Sequence, residues 1–140
     1  MITDKNDKIN KIIMKKIDNI LIVGFHFVNS IFIIFYLYPG SIFGYFLYNN
    51  PSIQPQLTRD FFISSNHFYG FIILSTIGIL AYHNTKKINF LIKYLFLSSI
   101  FLEFFHIIIP NRGFQWSDLF GNIFGVIIVI IIYKIKDKYA

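Results

Sequence analysis

The sequence contains no cysteine, which excludes disulfide bonds and thiolate metal sites. Charged residues are also scarce, at 14% of 140 residues against 55% hydrophobic ones. A soluble domain carries about 25% charged residues, so this chain has too few charges to cover a folded surface in water. We therefore expect an integral membrane protein whose apolar surface faces the lipid bilayer.

Four apolar stretches follow one another along the chain, at residues 20–38, 68–82, 90–109 and 119–133. A bilayer core of about 30 Å requires roughly 20 helical residues, and each stretch reaches that length alone or with its flanks. The second stretch is extended backwards through residues 61–63 for this purpose. We predict an all-α membrane protein, a bundle of four transmembrane helices. Its domain covers residues 20–133, with a basic cytoplasmic segment at 1–19 and a basic cytoplasmic tail at 134–140.

The eleven lysines predict the orientation of this bundle. They precede the first stretch, lie at or near the turn between the second and third, and follow the fourth, whereas the other loops hold only Arg59 and Arg112. Short cytoplasmic loops carry the positive charge, so both termini are predicted to be cytoplasmic. Tyr36, Tyr38 and Trp116 then fit the outer interface. The net charge of +6 indicates topology rather than nucleic-acid binding.

Two segments outside the four stretches have their own patterns. Isoleucines recur at helical spacing among the lysines of residues 9–17, which fits an amphipathic helix on an anionic inner leaflet as well as a solvated basic tail. The outer loop at residues 39–66 is rich in aromatic residues, so we predict interfacial or partly re-entrant segments there. Pro51 and Pro55 break any long helix between them.

Polar residues at membrane depth are few, and an ionisable group there is a functional candidate because its burial is costly. Glu103 lies six residues before the end of the third stretch, about 9 Å from its outer end, and His106 shares its helix face. Asp118 and Asn122 share a face of the fourth stretch. We predict that one polar set meets near the outer leaflet, and its members are His67, Glu103, His106, Asn111, Arg112, Asp118 and Asn122.

Several kinds of chemistry fit this polar set. Glu103 and His106 fit a general acid–base pair. Their Glu-x-x-His spacing is also half of a di-iron signature, which a chain with one glutamate cannot complete. A mononuclear site from His67, His106, Glu103 and Asp118 has no tight spacing to support it, so we predict no metal and no cofactor. The structural alternative is that Glu103 pairs with Arg112 or His106, and that Asp118 caps the last helix.

The run from Glu103 to Gly125 resembles the VanZ-like family of small membrane proteins. That family has a glutamate, a glutamine three residues on, then proline, arginine, aspartate, asparagine and glycine across its last two spans. The matching residues are Glu103, Pro110, Arg112, Asp118, Asn122 and Gly125, with His106 at the usual glutamine position. Asn66-His67-Phe68 is similar to the histidine–phenylalanine half of an earlier family motif, although Ser64 and Ser65 replace the charged residues expected before it. The resemblance covers residues 64–132.

This resemblance implies a multi-pass protein of the bacterial inner membrane and cell envelope. We expect an outward-facing polar pocket that binds an envelope lipid or glycan headgroup, with Arg112 holding a phosphate or carboxylate. The alternative is a structural or assembly subunit that docks on another membrane protein. No reaction and no oligomeric state are assigned, and no nucleic acid is expected as a partner.

Overall fold

The computed structural model describes residues 2–139, with side chains from residue 9 onwards. Met1 and Ala140, which fall in the predicted cytoplasmic termini, lie outside the described residues. Within this range the chain is all-helical, without strands, and its five helices are α1 (Ile2–Tyr36), α2 (Ile42–Tyr48), α3 (Ser65–Tyr82), α4 (Ile88–Phe105) and α5 (Trp116–Tyr139). Helices α1, α4 and α5 are long and apolar enough to cross a membrane, as expected of a multi-pass membrane protein.

Helix α3 lies at the centre of the bundle, where it packs against α1, α4 and α5. Its Phe71 and Leu74 are almost completely buried, together with Phe25 of α1, Leu95 of α4 and Val126 of α5. Since protein rather than lipid surrounds much of α3, this helix tolerates a polar first turn. That turn carries one of the predicted site residues into the bundle.

Helices α3 and α5 approach each other closely at two glycines of α5. A Cβ atom at Gly121 would lie 2.8 Å from the carbonyl oxygen of Ser64, and one at Gly125 would lie 2.6 Å from that of Phe68. The Gly-x-x-x-Gly spacing thus leaves room for the backbone of α3. This contact brings the start of α5 against the start of α3, where the polar residues lie.

The helix bounds differ from the predicted ones in several places. Helix α1 begins at Ile2, so the basic segment continues the first span as one helix. The backward extension of the second span is wrong, because Phe61 and Phe62 are exposed and lie outside α3. Helix α4 ends at Phe105 rather than at residue 109. Glu103 therefore lies about 3 Å from the helix end instead of 9 Å.

The predicted outer loop contains the short helix α2. Ser41 caps it by accepting a hydrogen bond from the Gly44 backbone N–H at 2.9 Å, and Asn49 ends it in the left-handed conformation with φ 50°. The helix exposes aromatic side chains, including Tyr45 and Phe46. Amphipathic rings of this kind suit the headgroup level of a bilayer, so an interfacial position for α2 stays a prediction.

The two ends of the bundle carry different groups. At one end, Asn84 in the α3–α4 turn contacts Asp18 of α1 at 3.5 Å, close to the lysines of that turn. Further along α1, His26 Nε2 lies 2.8 Å from the Tyr82 hydroxyl of α3. The opposite end of α1 finishes at Tyr36, which lies in the candidate site.

Candidate functional site

Four helices contribute polar side chains to one buried cluster at this end of the bundle. Each residue lies at the end of a helix or within the first two turns of one. The members are Tyr36 of α1, His67 of α3, Glu103 at the end of α4 with His106 just after it, and Asp118 and Asn122 of α5. Five of the seven predicted site residues therefore meet, together with a tyrosine that was not predicted.

The Glu103 carboxylate is fully buried, and both of its oxygens have partners. Its Oε2 accepts a hydrogen bond from the Tyr36 hydroxyl at 2.8 Å and lies 3.1 Å from His106 Nδ1. Its Oε1 accepts the backbone N–H of Gln115 at 3.0 Å. Of the two predicted pairings, the structure contains the one with His106, and Arg112 contacts other atoms.

The His67 imidazole has three partners, one at Nε2 and two at Nδ1. Its Nε2 is 3.3 Å from Asp118 Oδ2, and its Nδ1 is 2.9 Å from the Tyr36 hydroxyl and 3.1 Å from Asn122 Oδ1. Asp118 is the third residue of α5 and faces His67, so the predicted role of helix cap is wrong. Its other oxygen accepts a hydrogen bond from the Ser117 hydroxyl at 3.3 Å.

Tyr36 connects the two histidine–carboxyl pairs and was not among the predicted site residues. Its hydroxyl contacts Glu103 and His67 and accepts a hydrogen bond from Asn122 Nδ2 at 2.6 Å. Its ring stacks on His106 with 4.8 Å between centroids, while its backbone carbonyl lies 3.0 Å from His106 Nε2. A tyrosine at the end of an apolar span is typical of the interfacial belt, so the sequence offered no signal for this role.

Arg112 lies at the edge of the cluster, in the loop between α4 and α5. Its Nε donates a hydrogen bond to the Tyr38 carbonyl at 3.3 Å, and neither ion pair within the described part of the chain includes it. Partial burial lowers the pKa of Arg112 from its usual value, although a guanidinium stays protonated in proteins. The predicted neighbour Asn111 is exposed, with φ 59°, and does not join the cluster.

A cavity of about 580 Å³ opens beside the cluster, between α1, α2, α3 and the segment that joins α2 to α3. Its volume falls in the usual range for small-molecule sites. Phe32, Phe35 and other apolar side chains form most of its wall, and Tyr36, His67 and Arg112 form part of its polar edge. Glu103, which is completely buried, lies behind this wall.

The cluster also has the composition of a small metal site. His67, Glu103 and Asp118 each offer one ligating atom within 4.8 Å of the others. The Glu103 carboxylate already accepts hydrogen bonds, and His67 and Asp118 contact each other. A cation would have to replace these contacts. The absence of a bound metal stays a prediction.

The arrangement offers two kinds of chemistry. The histidine–carboxyl pairs can exchange protons, and the arginine at the cavity edge can bind a phosphate or carboxylate.

Comparison of the chain with protein-family models, curated proteins and solved structures finds no match.

Proposed function

We propose that the chain is a VanZ-like protein of the bacterial inner membrane, whose outward-facing pocket binds the headgroup of an envelope lipid or glycan. In this proposal it crosses the membrane four times, with α3 as the central span and both termini in the cytoplasm. The resemblance of residues 64–132 to the VanZ-like family supports the family and the compartment. The distribution of lysines supports the orientation.

The observation that carries the proposal is Arg112 at the edge of the cavity. The two carboxyl groups of the cluster are taken by His67 and His106, so the arginine has only a backbone carbonyl as its hydrogen-bond acceptor among the described residues. A half-buried cation in this position is stabilised by an anion supplied by a ligand. The apolar wall of the cavity suits the chain of a lipid, while its polar edge suits the headgroup.

A structural or assembly subunit is the second candidate function. The observation that favours it is the position of Glu103, which is completely buried and has partners for both oxygens. A cluster of this kind stabilises the contact between helix ends without needing a ligand. In that case the chain would serve as a docking partner for another membrane protein.

Binding of a lipid phosphate distinguishes the two functions. Purified protein in detergent micelles is titrated with fluorescent phosphatidic acid, and with fluorescent phosphatidylcholine and a neutral glycolipid for comparison. Charge-assisted hydrogen bonds contribute about 1.5–3 kcal/mol, so Arg112→Ala should weaken phosphatidic acid binding roughly 10- to 100-fold. Arg112→Lys should retain part of the affinity, because it keeps the charge but not the planar fork.

Arg59→Ala is the matched control, since Arg59 is the other arginine of the outer loops and is exposed. It removes the same charge from the protein and should leave the affinity unchanged. Tight binding of the glycolipid alone would assign the pocket to a glycan. If the Arg112 and Arg59 variants bind phosphatidic acid as the unchanged protein does, the anion site is rejected and the structural function gains support.

A further inference from the structure

The hydrogen-bond partners around His106 require a proton between this residue and Glu103. The Nε2 atom faces the Tyr36 carbonyl oxygen, which only accepts, so Nε2 carries a hydrogen. The Nδ1 atom faces the Glu103 carboxyl at 3.1 Å. A neutral imidazole with its hydrogen on Nε2 has a lone pair at Nδ1, which would face an oxygen lone pair of a carboxylate. One further proton, on either Nδ1 or Glu103, resolves this contact.

His67 and Asp118 also share a proton. The Ser99 carbonyl accepts from Asn122 Nδ2 at 3.1 Å, which fixes the Asn122 amide so that its Oδ1 faces His67 Nδ1. In this arrangement, before any transfer, His67 Nδ1 carries a hydrogen. Its Nε2 faces the Asp118 carboxyl at 3.3 Å, so a further proton lies between these two groups as well.

The Tyr36 hydroxyl joins the two pairs. Its hydrogen points to Glu103 Oε2, and its lone pairs face Asn122 Nδ2 and His67 Nδ1. Each successive contact from Asp118 through His67 and Tyr36 to Glu103 lies between 2.8 and 3.3 Å. The hydroxyl can therefore accept a proton on one side while it donates one on the other.

We propose that Asp118, His67, Tyr36, Glu103 and His106 form a proton relay, so that this site takes up a proton, stores it and passes it on. Transfer starts from a protonated Asp118 and from a Glu103 carboxylate whose pair proton is on His106 Nδ1. The Asp118 carboxyl gives its proton to His67 Nε2. The Nδ1 hydrogen of His67 moves to the Tyr36 oxygen, and the Tyr36 hydrogen moves to Glu103 Oε2. As many bonds to hydrogen form as break, and the net result is one proton moved from Asp118 to Glu103.

The relay has one end closer to solvent than the other. Asp118 is 8% exposed, whereas Glu103 is 0% and His106 is 1% exposed. His67 and Tyr36 are 7% and 8% exposed and line the cavity. Protons therefore enter and leave on the Asp118–His67 side, and the Glu103–His106 pair is the buried store. Among the described residues, two other charged groups lie near the relay. Arg112 in the α4–α5 loop contacts Tyr38 rather than a relay member, and Asp60 accepts the backbone N–H of Ser65, two residues before His67. The relay rests on these contacts and not on the identity of the headgroup.

The experiment is a pH titration of histidine side chains by nitrogen NMR, with ¹⁵N-histidine-labelled protein in lipid nanodiscs. A relay makes the pairs titrate as one coupled unit, so His67 and His106 should show the same two steps, separated by more than about one pH unit. Tyr36→Phe removes the oxygen that joins the pairs. In this variant each histidine should titrate in its own single step.

Tyr94→Phe is the matched control, because it removes another partly buried hydroxyl, one that is bonded to Asn29, and leaves the relay intact. His26 and His83 are internal references for the fold, since both lie outside the cluster. The control variant should keep the coupled steps. Independent titration of His67 and His106 in the unchanged protein, or coupled steps that survive Tyr36→Phe, would overturn the relay.

Asp118→Asn keeps the test decisive if Tyr36→Phe does not fold. His106 does not contact Asp118, so a shift of its titration midpoint in this variant would support transmission through the chain, and an unchanged midpoint would reject it. In the double variant with Tyr36→Phe, the relay predicts a smaller shift than in Asp118→Asn alone. Histidine signals that titrate only after treatment with a chelator would assign the cluster to a metal ion and overturn the relay.

Discussion

Tyr36 shows how much one hydroxyl can organise inside an apolar bundle. Its oxygen lies within 2.9 Å of atoms from three other helices or helix ends, in His67, Glu103 and Asn122. A buried polar group without a partner costs roughly 1–3 kcal/mol, so each of these side chains depends on the others. The cluster therefore fixes the relative positions of α1, α3, α4 and α5 as one network.

At this scale we predict strong coupling between Glu103 and His106. Glu103→Gln or His106→Gln alone leaves a buried partner without its counter-charge, which typically costs about 3–5 kcal/mol. The double variant places two amides side by side, which can bond to each other, so it should be milder than the sum of the single changes. The measurement is a double-mutant cycle on the free energy of unfolding in detergent, and we expect a coupling of at least about 1 kcal/mol.

The control cycle pairs Glu103→Gln with Arg112→Ala. Arg112 contacts the Tyr38 carbonyl and forms no ion pair with Glu103 in the described part of the chain, so this coupling should be smaller than the one between Glu103 and His106. A larger coupling with Arg112 than with His106 would show that the carboxylate is held by the arginine in solution. That result would contradict the assignment of His106 as the partner of Glu103.

The sequence predicted which residues belong to the polar set better than it predicted which of them contact one another. Helical spacing places Glu103 beside His106 and Asp118 beside Asn122, because residues three or four apart share a face whatever the fold. The partner of Asp118 depends instead on how α3 packs on α5, which no spacing within one helix reports. For the same reason Tyr36 could not be distinguished from an interfacial tyrosine.

At the scale of the element, the contact between α3 and α5 depends on glycine. Gly125→Ala places a methyl group 2.6 Å from the Phe68 carbonyl oxygen and 3.0 Å from Phe71 Cβ. The first of these is backbone, which cannot move aside as a flexible side chain can. We expect the variant to lose about 1–3 kcal/mol in the free energy of unfolding, measured by denaturation in detergent.

Gly24→Ala is the matched control, because nothing lies within 4 Å of a Cβ atom at this position of α1. Alanine favours helix over glycine by up to about 1 kcal/mol, so this variant should be as stable as the unchanged protein or more stable. The two variants add the same methyl group to a helix, so the difference between them isolates the contact of α5 with α3. Destabilisation of Gly24→Ala and not of Gly125→Ala would show that the close contact has been misassigned.

Hydrophobicity predicted that the long helices exist, whereas local contacts determine where each helix begins and ends. Helix α1 spans 35 residues, about 52 Å, because the lysine-rich segment before the first apolar stretch has no helix breaker. The chain before α3 is held instead by Asp60, whose carboxylate accepts the Ser65 backbone N–H at 2.7 Å. An apolar pattern does not report a contact of this kind, so the predicted extension into residues 61–63 was wrong.

For the whole molecule, the distance between the two polar ends of the bundle matches a bilayer. Asp18 and Tyr36 are 18 residues apart on α1, about 27 Å, against a hydrocarbon core of about 30 Å. Asp18 lies at the level of the lysine-bearing α3–α4 turn, since it contacts Asn84. Tyr36 lies in the buried cluster. The lysines and the candidate site are therefore at opposite ends of the same bundle.

The last prediction is the orientation of that bundle. Lysines gather in the first half of α1, at or near the α3–α4 turn and at the end of α5, and positive charge in short segments is retained in the cytoplasm. A reporter enzyme that is active only outside the membrane should work when fused near Pro51 or Asn111, and fail near Lys87 or after Ala140. A second reporter that is active only in the cytoplasm serves as the control and should give the opposite pattern at each position. If the patterns are exchanged, the cavity and Arg112 face the cytoplasm, and the headgroup that they bind belongs to the inner leaflet. If fusions at Lys87 and Asn111 report the same side, α4 does not cross the membrane and the four-span arrangement is wrong.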